Sequence, residues 1–346
     1  MIIKIVKLID SNQYIYENKP YGPVDVRTAE SETKEEKQAV IETLKSFNYA
    51  IDDKNILRLV TILERETLKK AILDSELLFE ETIDLLKRQP MARIRNCDSA
   101  GYWVNMDTGE TTPFIKPHEN NLSFFDHVFQ TSLGPYSPMF GEQIIASRRN
   151  EEATEAFIRS IHWYNNSNLH TKSYLQFLYK WIAIETIAKK STDEDIIPKI
   201  CLVLGFLTSK YSKTIPANEA KKLTSIKGYR HYRNFIKGEL YKCKKMRNAI
   251  VHSGFKETNL LNDNLKLKLY IIDSAYSCMI NTIEKIVCTG ITTIKEVWDV
   301  MCEYVIKDEK TMKWISETFL HQVGIIVSKN DDLHYNDSSF GVDDEL

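Results

Sequence analysis

The chain has 346 residues, 43% of them hydrophobic and 27% charged, which suits an ordinary core spread over two or three domains. With only 12 glycines and 9 prolines it does not read as a loop-rich β protein or a disordered chain. A net charge of −2 excludes steering of the whole molecule to nucleic acid, so any such affinity has to come from a local basic patch.

Residues 1–30 read as irregular except for a strand at IIKIVKLI, an apolar run too short for a signal peptide. From Ser31 the pattern turns helical. SETKEEKQAVIETLKSF opens with capping residues and an acidic first turn. NILRLVTILERETLKKAILDSELLFEETIDLLKRQ continues as one or two amphipathic helices, so helices are expected over about 31–89. After Pro90 the sequence alternates around Asp107-Thr108-Gly109, which predicts a β-hairpin over about 91–116. A short helix is expected at LSFFDHVF and a linker at SLGPYSPMFG, residues 132–141.

Beyond that linker, segments 150–165, 170–190, 194–211, 216–251, 259–289 and 293–306 carry the 3.6-residue pattern. The fourth is expected to break near Gly228. IIPKICLVLGFL is short and interrupted by Lys199, as a core helix is and a membrane span is not. The tail from Ser328 is polar and acidic and reads as disordered. The expected fold class is mainly α: a smaller α+β domain over 1–140, a helical bundle over 141–310, and an extension with an acidic tail over 311–346.

Cys97, Cys201, Cys243, Cys278, Cys288 and Cys302 form no CxxC pair, and several sit in apolar helical patterns. They read as small buried hydrophobes in a reducing, cytoplasmic protein, with no zinc-ligand spacing. No phosphate-cradling glycine loop is present, so a nucleotide hydrolase is not indicated and no cofactor is expected. Trp163 and Trp181 lie at core spacing, His162 and His170 read as surface residues, and Tyr102, Trp103 and Asp107 read as a packed turn.

KKMRNAIVHSGF, residues 244–255, is the stretch that carries chemistry. As a helix, it puts Ile236, Leu240, Cys243, Met246, Ile250 and Val251 on one core stripe. Lys245, Asn248 and His252 share the opposite face. Arg247 lies about 140° from His252, at the edge of the buried stripe. Gly254 is placed to end the helix, which sets His252 in its last turn. A histidine there can change charge near neutral pH.

Arg247-Asn248-Ala249-Ile250-Val251-His252 resembles the R-N-x-x-x-H motif of HEPN domains. SYLQFLYKWIAIETIAKK, residues 173–190, resembles the earlier helix of ApeA-like HEPN domains, with an Ala-x-Glu segment at Ala183-Ile184-Glu185. The resemblance covers about 150–306. It implies a HEPN-type helical bundle that dimerises through its motif helices, and a metal-independent endoribonuclease in a toxin or anti-phage role. An antitoxin or trigger protein would be a further partner. Some members have lost catalysis and only bind.

The implied site is Arg247, Asn248 and His252, with Glu185 in support. One histidine can move one proton at a time, and two protomers would supply two. Arginine suits bidentate contact with phosphate, and Asn248 suits orienting the phosphate or the histidine. Lys242, Lys244, Lys245 and Lys256 surround the motif, and Arg230 and Arg233 stand upstream among Tyr229, His231 and Tyr232. This mixture of cations and rings is suited to holding phosphates and stacking bases. Glu185 has two readings of equal weight, positioning Arg247 or His252, or pairing with a structural arginine.

Overall fold

The computed structural model describes residues 1–11, 13–15, 18–46, 56–88, 94–114, 131–133, 139–170, 172–191, 193–212, 217–225, 228–252, 265–306 and 318–328. Helix predominates, and the chain divides into two compact units, Met1–Asn150 and Glu151–Leu346. Among the described residues no helix is long and apolar enough to cross a membrane.

The first unit contains β1 (Ile2–Ser11), β2 (Gln13–Ile15), β3 (Lys19–Tyr21), β4 (Val24–Arg27), α1 (Lys34–Ser46), β5 (Ile56–Glu64) and α2 (Leu68–Leu86). These are followed by β6 (Ile94–Asn105), β7 (Thr111–Pro113), β8 (Thr131–Leu133) and α3 (Met139–Ser147). Six strands form one sheet in the order β3-β4-β5-β1-β6-β7, every neighbour antiparallel. β2 and β8 form a separate parallel pair.

β1 is covered on both faces. Val6 and Leu8 join Ala39, Val40 and Leu44 of α1 in one cluster. Lys7, on the other face, pairs with Glu76 of α2. Each fully buried Ile, Val or Leu contributes about 1.5–3 kcal/mol, so this central strand is a main source of the unit's stability. The cluster also surrounds a buried polar set. Arg58 grips Glu32 through Nε at 3.0 Å and Nη2 at 3.3 Å, and the Tyr102 hydroxyl donates to the same carboxylate.

Two expectations are corrected here. Residues 1–30 are not irregular beyond one strand but hold four. Residues 56–64 are strand, not helix: ILRLVTILE is buried at its first six positions. A strand covered on both faces needs apolar side chains on both, so it loses the two-residue alternation and imitates a helical stripe. The hairpin is found, with Trp103 opposite Thr112, the Asp107 N–H donating to the Asn105 side chain, and Gly109 at φ +76°. The helix expected at LSFFDHVF and the acidic tail beyond Ser328 lie outside the described residues. β8 and α3 occupy the two ends of the expected linker, and its centre lies outside the described residues.

The second unit is helical among the described residues: α4 (Glu152–Ser167), α5 (Ser173–Ala188), α6 (Ile197–Val203), α7 (Ser209–Ser212), α8 (Ala217–Thr224), α9 (Tyr229–His252), α10 (Leu265–Cys288), α11 (Ile294–Ile306) and α12 (Leu320–Ser328). α10 runs through the middle, with Ile271, Ile272, Ala275, Met279, Ile283, Ile286 and Val287 buried against the helices around it. The long helical segment does break at Gly228, which takes φ +77°. The single helix expected over 194–211 is two, because Gly205 takes φ +80° after α6 and turns the chain.

Candidate functional site

α9 is amphipathic, and its periodicity fixes what it shows to solvent. Ile236, Leu240, Cys243 and Met246 are buried, whereas Arg230, Asn234, Lys245 and Asn248 are exposed. Ion pairs to three other segments seat the helix, and a fourth lies within it. Glu239, itself buried, lies 3.7 Å from the buried Lys268 of α10 and 2.7 Å from Lys242. Lys244 donates to Asp195 at 3.0 Å, and Arg247 donates through Nη2 to Glu185 of α5 at 3.0 Å.

Glu185 stands in the last turn of α5, where helix carbonyls have no partner within the helix. Those carbonyls are met from elsewhere. The Trp298 indole donates to the Ile187 carbonyl at 2.9 Å, and the buried Lys199 ammonium donates to the Ala188 carbonyl. Lys199 also lies 2.8 Å from Glu194 and 4.9 Å from the Trp298 ring centroid. Burial pulls its pKa below the ordinary lysine value, against the opposing pull of Glu194. This packing fixes the end of α5 and therefore the carboxylate of Glu185, whose other oxygen is 2.7 Å from Lys189.

The Arg247 guanidinium is thus held from two sides. Nη2 reaches Glu185, and Nη1 donates to the Asn248 side chain at 3.2 Å. Nε is buried without a partner among the described residues. Each terminal nitrogen carries a second N–H available to an incoming oxygen.

The structure therefore brings Glu185, Arg247 and Asn248 together. His252 is the final residue of α9, and its side chain lies outside the described residues, as does all of Lys256. Lys242 and Lys244 are engaged by Glu239 and Asp195, while Lys245 is exposed. Arg230 and Arg233 lie at the far end of α9, about 26 Å and about 21 Å from Arg247 along the axis, and Arg233 donates to the Asn234 side chain.

Three expectations change. Val251 is not on the core stripe but 50% exposed, and Ile250 is half-buried, because the helix end runs past the bundle's cover. Tyr229 is not available to stack on a base: it is buried, its hydroxyl accepting the Leu207 N–H at 2.7 Å and donating to the Gly205 carbonyl at 3.1 Å. α9 presents another ring, Tyr241, 42% exposed, beside the exposed His231 and half-buried Tyr232 nearer its start, and a full helical projection from Arg230 would have found it.

Among the described residues no group of three or more His, Cys, Asp or Glu side chains is placed to hold a metal ion. In comparisons with known proteins, no family model, no curated protein and no solved structure matches the chain.

Proposed function

We propose that the chain is a metal-independent endoribonuclease of HEPN type. It would act as a cytoplasmic homodimer, with a toxin or anti-phage role restrained or triggered by a partner protein. The observation that carries this reading is the Arg247 guanidinium, aimed by Glu185 and Asn248 with donors to spare, five residues before the histidine that closes α9.

In this reading His252 of one protomer removes the proton from a ribose 2′-hydroxyl. The 2′-oxygen attacks the phosphorus, and the bond from phosphorus to the 5′-oxygen breaks. His252 of the second protomer gives a proton to that leaving oxygen. The products are a 2′,3′-cyclic phosphate and a 5′-hydroxyl. Arg247 stabilises the charge that builds on the phosphate oxygens, and Asn248 keeps the guanidinium in plane with them. The exposed Val251 and half-buried Ile250 are apolar surface that pairing of two α9 helices would cover. The free thiols of Cys201, Cys243, Cys278 and Cys288 suit a reducing compartment.

One observation favours a second reading, a non-catalytic binding or dimerisation module. The pairing of Arg247 with Glu185 is also what an interhelical structural arginine makes. The two separate in one experiment: total cellular RNA is incubated with the parent and with His252→Ala, and the cut ends are mapped. Cyclic-phosphate ends made by the parent and lost in the variant support the nuclease. Equal cutting by both, or none by either, removes it.

A further inference from the structure

The outward face of α9 away from the motif has its own pattern. At 100° per residue, Arg230, Lys237, Tyr241, Lys245 and Asn248 fall within about 80° of one another and span about 27 Å of axis. Arg230, Lys245 and Asn248 are exposed, Lys237 is half-buried, and Tyr241 is 42% exposed. The one carboxylate of α9, Glu239, lies on the opposite arc and is buried.

A solvated helix face ordinarily interleaves charges of both signs in pairs three or four residues apart. This face does not. Lys242 and Lys244, at its margins, have carboxylate partners at 2.7 and 3.0 Å. Arg230, Lys237 and Lys245 have no ion-pair partner among the described residues. The row is thus a line of uncompensated cations with one aromatic ring in the middle and an amide at the end nearest Arg247.

We propose that this face is a track for single-stranded RNA, with Tyr241 as a base-stacking platform and Arg230, Lys237 and Lys245 as phosphate contacts. The track leads the strand to the Arg247–Asn248 end of the helix. The ligand class rests on the ribonuclease reading above; the strandedness is argued from the face itself. A straight helix cannot enter the deep, narrow major groove of duplex RNA, and a ring stacks only on a base that is unpaired. Ile250 lies opposite the track and Val251 borders it, so a second protomer seated on Ile250 leaves the row of cations open.

The test uses the full chain and a short fluorescein-labelled strand, 2′-O-methylated so that it cannot be cut, alone or annealed to its complement. Binding is read by fluorescence anisotropy across a salt series. The parent is expected to prefer the single strand. Tyr241→Ala weakens that binding about ten-fold, and Tyr241→Phe does not, since one stacked base carries roughly that factor. Lys237→Ala and Lys245→Ala each flatten the slope of log affinity against log salt by about 0.7. Circular dichroism melts identify any variant that fails to fold, and Tyr241→Phe is the conservative control.

The track is overturned if the duplex binds as tightly as the single strand, if Tyr241→Ala binds like the parent, or if polyglutamate competes as well as the strand. Failure of the two readings looks different. Binding that maps to Tyr241 without cutting of any RNA sinks the nuclease and leaves the track. Cutting by the parent, with Tyr241→Ala binding and cutting normally, sinks the track and leaves the nuclease.

Discussion

Arg247 on α9 and Glu185 on α5, separated by 62 residues in sequence, meet at 3.0 Å, and the carboxylate holds only one of the two terminal nitrogens of the guanidinium. The pair is partly exposed, so it contributes about 1 kcal/mol or less to stability. Its effect on chemistry should be larger. Arg247→Ala is expected to lower kcat for RNA cleavage by about 10²–10³-fold, the scale of losing one charge-stabilising donor. Glu185→Ala is expected to lower kcat by up to about 10²-fold through misplacement of the guanidinium, with KM little changed. Arg247→Lys keeps the charge but loses the fork, and should recover little. Initial rates with a defined RNA, beside thermal melts, check all three. Large losses of melting temperature with no activity in the parent would favour the structural role.

Gly228 starts α9 at φ +77°, and a Cβ placed there would stand 3.1 Å from the Tyr232 ring. Gly228→Ala is therefore expected to destabilise by about 1–2 kcal/mol, from the left-handed backbone first and the ring contact second. Urea unfolding measures this as a lower midpoint at unchanged slope.

Tyr229 follows directly, and its hydroxyl joins Leu207 and Gly205 inside the bundle. Burial pushes its pKa up to about 12, so it stays neutral throughout the ordinary range. Tyr229→Phe leaves a buried N–H and a buried carbonyl without this partner, and should cost about 1–3 kcal/mol. Calorimetry that finds no loss would show that water replaces the hydroxyl.

Glu194 supplies the pH dependence. Burial alone would raise its carboxyl, but hydrogen bonds from Lys199 and the Lys190 N–H, with the charges of Lys199 and Lys210, hold it below the usual value of 4.5. The folded state then binds a proton less readily than the unfolded chain. The resulting stabilisation is complete above pH 4.5 and disappears as pH falls through the lower folded value. The melting temperature of the parent should exceed that of Glu194→Gln most at neutral pH, with the gap closing in acid. A gap that is constant with pH would contradict this account.

How much of this was legible depends on the range of the interaction involved. The turn at Asp107-Thr108-Gly109 and the break at Gly228 are written in single residues with special backbone needs, so they could be read locally. β5 could not, because burial on both faces erased the alternation that marks a strand. On α9, helical arithmetic placed Lys245 and Asn248 outward and Arg247 at the margin, as found. It failed at Val251, since periodicity says which side a residue faces but not where the bundle stops covering the helix. No spacing rule brings Glu185 to Arg247; only the resemblance singled it out. Asp195 was not singled out at all, because its partner Lys244 comes from a distant helix.

The contacts of Lys244 with Asp195 and of Arg247 with Glu185 also constrain how α9 can move. A helix held by an apolar stripe alone can still rock and slide by small amounts with little loss of apolar contact. Two charged latches three residues apart prevent that, because a step of one residue turns both cations through about 100° and shifts them 1.5 Å. The helix behaves as a keyed shaft. Insertion of one alanine between Lys244 and Arg247 would leave the charge untouched, yet put one latch or the other out of phase.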